Sequence, residues 1–184
     1  MKIALLDHFD SFTYNLSALC ANAWPGSLVK VFSPGFCFTD LHKFSPDLIV
    51  LGPGPGEPSH YPQTLKTIEG YYGNKPMLGV CLGLQAVNEC LGGLTKISSI
   101  PVHGKVSTIS FLRRLLPLPN EFQVMRYHSL YVEPAKDLSL WAVASEDQLP
   151  MVLSGEKFWG LQYHPESFAS EYGVEIMRTC YESF

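Results

Sequence analysis

A chain of 184 residues, 46% of them hydrophobic and 16% charged, is long enough to bury a full core and too apolar to stay disordered. Its net charge of −4 carries no basic footprint, which argues against nucleic acid as a ligand, and so few charges fit a surface partly covered by a partner. Cys20, Cys37, Cys81, Cys90 and Cys180 form an odd set without a C-x-x-C pair, so neither a disulfide framework nor a zinc site is expected. A reducing cytoplasm is the expected location, and no cofactor is expected.

Lys2–Asp7 holds too few apolar residues for a signal-peptide core, and no apolar run approaches the ~18 residues that cross a bilayer, so no membrane is expected either. The stretch reads instead as a buried strand. Residues Ser11–Ala23 carry Phe12, Leu16, Leu19 and Cys20 at helical spacing and stop before Pro25-Gly26. Strands are predicted at Leu28–Phe32 and Leu48–Leu51, the latter running into the loop Gly52–Pro58. A helix over Tyr61–Tyr72, a strand at Met77–Val80 and a helix over Gln85–Leu91 follow. Strands alternating with helices call for a parallel sheet covered on both faces.

The second half changes character. Short apolar runs at Val106–Phe111, Phe122–Tyr127, Leu140–Ala144, Pro150–Leu153 and Phe158–Tyr163 are separated by turns, which predicts an antiparallel extension. Glu171–Phe184 reads as a closing amphipathic helix with Val174, Ile176, Met177 and Tyr181 on its apolar side. The expectation is one α/β domain spanning 1–184: a three-layer sandwich with a mostly parallel central sheet, helices on both faces and a small antiparallel extension.

Two segments carry chemistry. Gly79-Val80-Cys81-Leu82-Gly83 is an apolar strand that ends at a cysteine and turns at once into a helical pattern. That places a thiol at a helix N-terminus, where unpaired N–H groups favour thiolate, between glycines that a sharp turn requires. His164-Pro165-Glu166 follows a second apolar strand, and in an extended segment residues i and i+2 face one side. A carboxylate on one ring nitrogen leaves the other for the thiol. Cys81, His164 and Glu166 thus supply nucleophile, base and orienting group. The bland alternatives are a small buried thiol, as expected for Cys20, Cys90 and Cys180, and a surface turn.

The loop Gly52–Pro58 alternates glycine and proline, so it forms neither helix nor ladder, and Gly54 or Gly56 can offer an N–H to a developing oxyanion together with Leu82. A plain rigid turn is the alternative. It is not a phosphate loop, since no Gly-Lys-Ser/Thr follows. Tyr71, Tyr72, Trp24, Trp141 and Trp159 are expected as core or interface aromatics, His42 and His60 as exposed loop residues, and His128 as a structural hydrogen-bonding residue.

Taken together, Asp7–Leu16, Gly52–Pro58, Gly79–Gln85, His103-Gly104-Lys105, Arg126–Leu130 and Gln162–Ser167 stand in one order along nearly the whole chain. In that order they resemble the class I (triad) glutamine amidotransferases, most closely the small glutaminase subunits of anthranilate synthase and aminodeoxychorismate synthase. The resemblance implies Cys81 as nucleophile, His164 as general base then acid, and Glu166 as the orienting carboxylate. It implies oxyanion N–H groups at Gly54, in the Gly54-Pro55-Gly56 loop, and at Leu82, beside the nucleophile. Gln85, Ser129 and Leu130 match the positions that hold L-glutamine. It also implies a partner, the chorismate-using large subunit (component I), with Asp10-Ser11-Phe12 and His103-Gly104-Lys105 near it. One such subunit can serve either pathway or both. Two residues depart from the pattern: Leu84 stands where the family commonly has His, and His8 where it commonly has Asn. A stand-alone cysteine hydrolase and a regulatory subunit without turnover are the competing readings.

Overall fold

The computed structural model describes residues 1–184, the side chains at 99 and 100 excepted. Five strands form its parallel half: β1 (Lys2–Leu6), β2 (Leu28–Phe32), β3 (Leu48–Leu51), β4 (Met77–Val80) and β9 (Phe158–Leu161). Between β4 and β9 in the chain come β5 (Leu94–Phe111), β6 (Glu121–Glu133), β7 (Ser139–Ala144) and β8 (Pro150–Gly155). All join one sheet of order β2-β1-β3-β4-β9-β8-β7-β5-β6, in which β8, β7, β5 and β6 run antiparallel to their neighbours. The expected sandwich is what forms.

The period-two alternation of the inner strands divides the core. Ile3, Leu5, Leu48, Val50, Leu78 and Val80 face one layer, where Leu16 and Cys20 of α1 (Thr13–Ala23) and Ile176, Met177 and Cys180 of α5 (Gly173–Glu182) cover them. Ala4, Leu6, Ile49, Leu51 and Met77 face the other, covered by Leu41 of α2 (Phe38–Phe44), Ile68 of α3 (Pro62–Tyr71) and Leu84, Ala86 and Val87 of α4 (Leu82–Cys90). Helices on both faces leave the strand ends as the open edge, where ligands of such sheets sit.

Helix α2 has no counterpart in the sequence reading. With seven residues and only Leu41 buried, it lacks the repeated apolar spacing that marks a helix. His42, expected in a loop, is exposed but lies on this helix. Strand β5 starts at Leu94 rather than Val106. Its ladder with β6 slips between Ile97 and Val102 and again between His103 and Lys105, where Gly104 takes φ +66°, so its alternation is illegible in sequence. Cys90, expected to be a buried hydrophobe, is exposed at the end of α4, whereas Cys20 and Cys180 are buried as expected. Trp159 packs in the core, and Trp24 and Trp141 lie against it.

Candidate active site

Strand order decides which residues meet. β4 and β9 are distant in the chain but are parallel neighbours, with Val80 opposite Leu161, and the Cys81 N–H donates to the Leu161 carbonyl at 2.7 Å. Both chains therefore leave the sheet over the same edge, one at Cys81 and the other toward His164. The residues between bend rather than stay extended, so His164 and Glu166 meet across a turn and not by strand alternation. The His164 backbone N–H donates to Met125 of β6 at 3.0 Å, and Ser170 Oγ donates to the His164 carbonyl at 2.6 Å. These bonds fix the backbone behind the ring.

Cys81 itself has φ +51° and ψ −104°, a conformation that costs a non-glycine residue about 1–3 kcal/mol. The turn is tight because α4 lies against both β4 and β3: a Cβ on Gly79 of β4 would stand 2.7 Å from the Leu84 backbone nitrogen, and one on Gly83 would stand 2.2 Å from the Leu51 carbonyl oxygen of β3. The Leu82 N–H opens α4 directly behind the sulfur.

The His164 ring is buried, with Nδ1 2.7 Å from Glu166 Oε1. Burial pulls its pKa down, but hydrogen bonding with Cys81 and Glu166 outweighs it and raises the group to about 10. The imidazolium is thus the resting form at neutral pH, and Nδ1–H is its bond to the carboxylate.

A cleft of about 750 Å³ opens over this pair. Cys81, His164, Gly54, Pro55, Gly56, Gln85, Ser129 and Leu130 all line it. Glu166 does not, since its side chain is buried behind His164, and Leu82 is buried at the start of α4. Phe9, Tyr127 and His128 line it without having been singled out for it, and Asp10, Phe12 and His103 come from segments expected near a partner. Gln162 opens the Gln162–Ser167 motif but is assigned no role from sequence. Its side chain is fully buried, with Nε2 3.6 Å from Cys81 Sγ and Oε1 3.4 Å from Gln85 Nε2. Its sequence signals are that motif and its place just past the end of β9. Leu84 is fully buried in the core facing Gly160, away from the cleft, so the departure there does not touch the site.

His128 is structural in form. Its Nδ1–H donates to the Leu130 carbonyl at 2.8 Å, and Nε2 accepts from Arg126 Nε at 3.1 Å, while Arg126 pairs with Asp147 at 2.7 Å. Burial first, then the Arg126 charge, lowers its pKa from 6.5 to about 4. The unfolded chain therefore takes up a proton below pH 6.5 that the folded chain refuses. The stability held above that pH is lost as pH falls to about 4, by about 3 kcal/mol. Urea unfolding at pH 7 and pH 4 should show this loss in the wild type and much less of it in His128→Asn.

Among the described residues no cluster of His, Cys, Asp and Glu has the arrangement of a metal site, and no helix is long and apolar enough to cross a membrane. Residues 4–184 match the family model described as glutamine amidotransferase class-I. The chain is 34% identical over 183 residues to anthranilate synthase component 2 of Lactococcus lactis, covering 95% of this chain and 91% of that one. It is 35% identical over 185 residues to aminodeoxychorismate synthase component 2 of Escherichia coli, covering 95% and 96%. The fold is shared with a putative GMP synthase protein from Thermoplasma acidophilum, at TM-score 0.85 and 22% identity over 99% of this chain and 92% of that one. With residues 4–184 matched and a cysteine, a histidine and a carboxylate gathered over one sheet edge, the chain belongs to the class I glutamine amidotransferases.

Proposed function

We propose that the chain hydrolyses L-glutamine to glutamate and ammonia and passes the ammonia to a chorismate-using synthase subunit. The observation that carries this reading is the buried Glu166–His164 pair aimed at a strained cysteine on the floor of a cleft sized for an amino acid. The Cys81 thiolate attacks the side-chain amide carbon. The oxyanion takes hydrogen bonds from the Gly54 and Leu82 N–H groups, and the His164 imidazolium gives its proton to the departing nitrogen. Ammonia leaves and a thioester remains. His164, now neutral, takes a proton from water as the hydroxide attacks the thioester. The thiolate departs, glutamate forms and the imidazolium is restored. Gln85, Ser129 and Leu130 hold the amino-acid end of the substrate.

Ammonia set free in neutral water protonates and loses its nucleophilicity, so delivery to a partner is the chemically coherent use of this site. The mouth of the cleft supports that use. Phe9 is 74% exposed and Phe12 and Tyr127 are also exposed on its lining, with Tyr14 and Phe168 solvent-exposed nearby in the chain. The relatives named component 2 point to anthranilate synthase or aminodeoxychorismate synthase, and the protein serves one or both in the cytoplasm as one domain. A glutamine-analogue electrophile should label Cys81, as read by peptide mass. Recovery of the partner followed by product analysis with chorismate and glutamine should give one or both aminated products. A stand-alone hydrolase would instead reach full activity without any partner, and a protein without turnover would not be labelled.

A further inference from the structure

His8 is a fully buried histidine that the triad chemistry does not use. We propose that His8, together with Tyr61, is the positioning brace of the Gly52–Pro58 loop, setting the direction of the peptide N–H that meets the oxyanion. The inference rests on the glutaminase reading above.

Past Gly52, whose N–H donates to the Leu6 carbonyl at 3.0 Å, the sheet no longer supports the loop. Pro53, Pro55 and Pro58 have no N–H to donate, so side chains must supply what a ladder would. His8 Nδ1 lies 2.9 Å from the Gly52 carbonyl, which only accepts, so Nδ1 carries the proton. Nε2 lies 2.8 Å from Thr64 Oγ1 and accepts the threonine hydroxyl hydrogen. Burial lowers the pKa of the ring, against the pull of the Gly52 carbonyl and the Asp7 charge, and the two bonds hold the neutral tautomer with its proton on Nδ1. With the Gly52 carbonyl held by His8 and Gly54 packed against the His8 Cβ, the path of the loop up to the Gly54 N–H is fixed. In a trans peptide each N–H points opposite to the carbonyl before it.

Tyr61 secures the next peptide in the same manner. Its hydroxyl lies 3.0 Å from the His8 carbonyl and 2.9 Å from the Pro55 carbonyl and shares its one hydrogen between them, and its ring meets the imidazole edge-on at 4.7 Å. The Pro55 carbonyl faces Tyr61, so the Gly56 N–H points away from the brace. The contact is close: a Cβ on Gly54 would stand 2.3 Å from His8 Cβ. Both glycines line the cleft.

An oxyanion donor acts on the charge that develops in the transition state and little on the neutral amide of bound glutamine. A slackened brace therefore lowers kcat and leaves KM almost unchanged. The test compares wild type, His8→Leu, His8→Asn and Tyr61→Phe, each assayed with the synthase partner, for glutamine hydrolysis and for binding of the aldehyde analogue of glutamine. That aldehyde forms a hemithioacetal with Cys81 whose oxygen occupies the oxyanion position. His8→Leu should lower kcat on the order of 30-fold with KM within about twofold, and Tyr61→Phe on the order of tenfold. Aldehyde affinity should fall in proportion, while affinity for the product glutamate holds. His8→Asn should recover most of the rate, because its amide N–H occupies the place of Nδ1 and reaches Gly52. Should His8→Leu fail to fold, Tyr61→Phe carries the same split. Wild-type kcat in both His8→Leu and Tyr61→Phe, a loss through KM alone, or equal damage in His8→Asn and His8→Leu overturns the brace. A wild type that neither hydrolyses glutamine nor is labelled at Cys81 overturns the glutaminase reading and the brace with it.

Discussion

Cys81→Ala should abolish glutamine turnover, a loss on the order of 10⁵-fold or more, because no other nucleophile stands at the His164 ring. The hydroxyls that line the cleft belong to Ser11, Tyr127 and Ser129, and Ser129 Oγ is bound to His103 Nε2 at 3.0 Å. Cys81→Ser should fare little better. A serine hydroxyl is far less acidic than a thiol, so it offers far less of the ionised nucleophile to the amide carbon. The same position separates activity from stability. With φ +51°, Cys81 bears strain that glycine does not feel, so Cys81→Gly should gain about 1 kcal/mol in urea unfolding while losing all turnover. Alanine keeps a Cβ and should gain nothing of this kind. A glycine variant no more stable than the alanine one would mean that the turn is not strained.

How much of this was legible in the sequence follows from the range of each signal. Strand β4 ending in Cys81 and flanked by Gly79 and Gly83 is a local pattern, and its boundaries were read without error. That His164 stands over the same edge is a matter of strand order, since β9 lies beside β4 only because four antiparallel strands intervene in the chain and not in the parallel half of the sheet. Nothing local encodes that adjacency, and the resemblance to a family was what anticipated it. The long hairpin of β5 and β6 was cut short because Pro101 and the bulge at Gly104 break the alternation by which strands are recognised. Gln162 and His8 stand in the motifs, His8 as a departure from them, but the sequence assigns neither a role, for a different reason. Each acts through a buried hydrogen bond to a residue remote in sequence, and a polar side chain beside an apolar run looks the same whether it ends in solvent or in the core. The two departures also separate only in three dimensions: Leu84 fills core, whereas His8 grips the loop beside the nucleophile.

The second large effect concerns a residue that lines no part of the cleft. Glu166→Gln should cut kcat by about 10²–10⁴ while the fold and the Cys81 thiol remain in place. The carboxylate accepts the Nδ1 proton of His164 at 2.7 Å and has no exposed side-chain surface. An amide there either presents an NH₂ to an N–H, forcing the ring to the other tautomer, or keeps an oxygen acceptor without the charge that stabilises imidazolium. The first leaves Nε2 unable to accept a proton from the thiol or from water, and the second leaves less imidazolium to protonate the departing nitrogen. The sign with pH follows from the same balance. Burial alone lowers the His164 pKa, and hydrogen bonding with Cys81 and Glu166 lifts it to about 10, so the wild type should keep its proton donor until the pH rises toward that value. Without the carboxylate the desolvation of the ring is less opposed, and the alkaline limit of kcat should move down toward neutrality. Rate profiles from pH 6 to pH 10, with the ring titration followed by nuclear magnetic resonance, separate this from simple damage. A variant that loses rate equally at every pH, with the imidazole titrating as in the wild type, would make Glu166 a packing residue and leave His164 to hold its proton by contact with the sulfur alone.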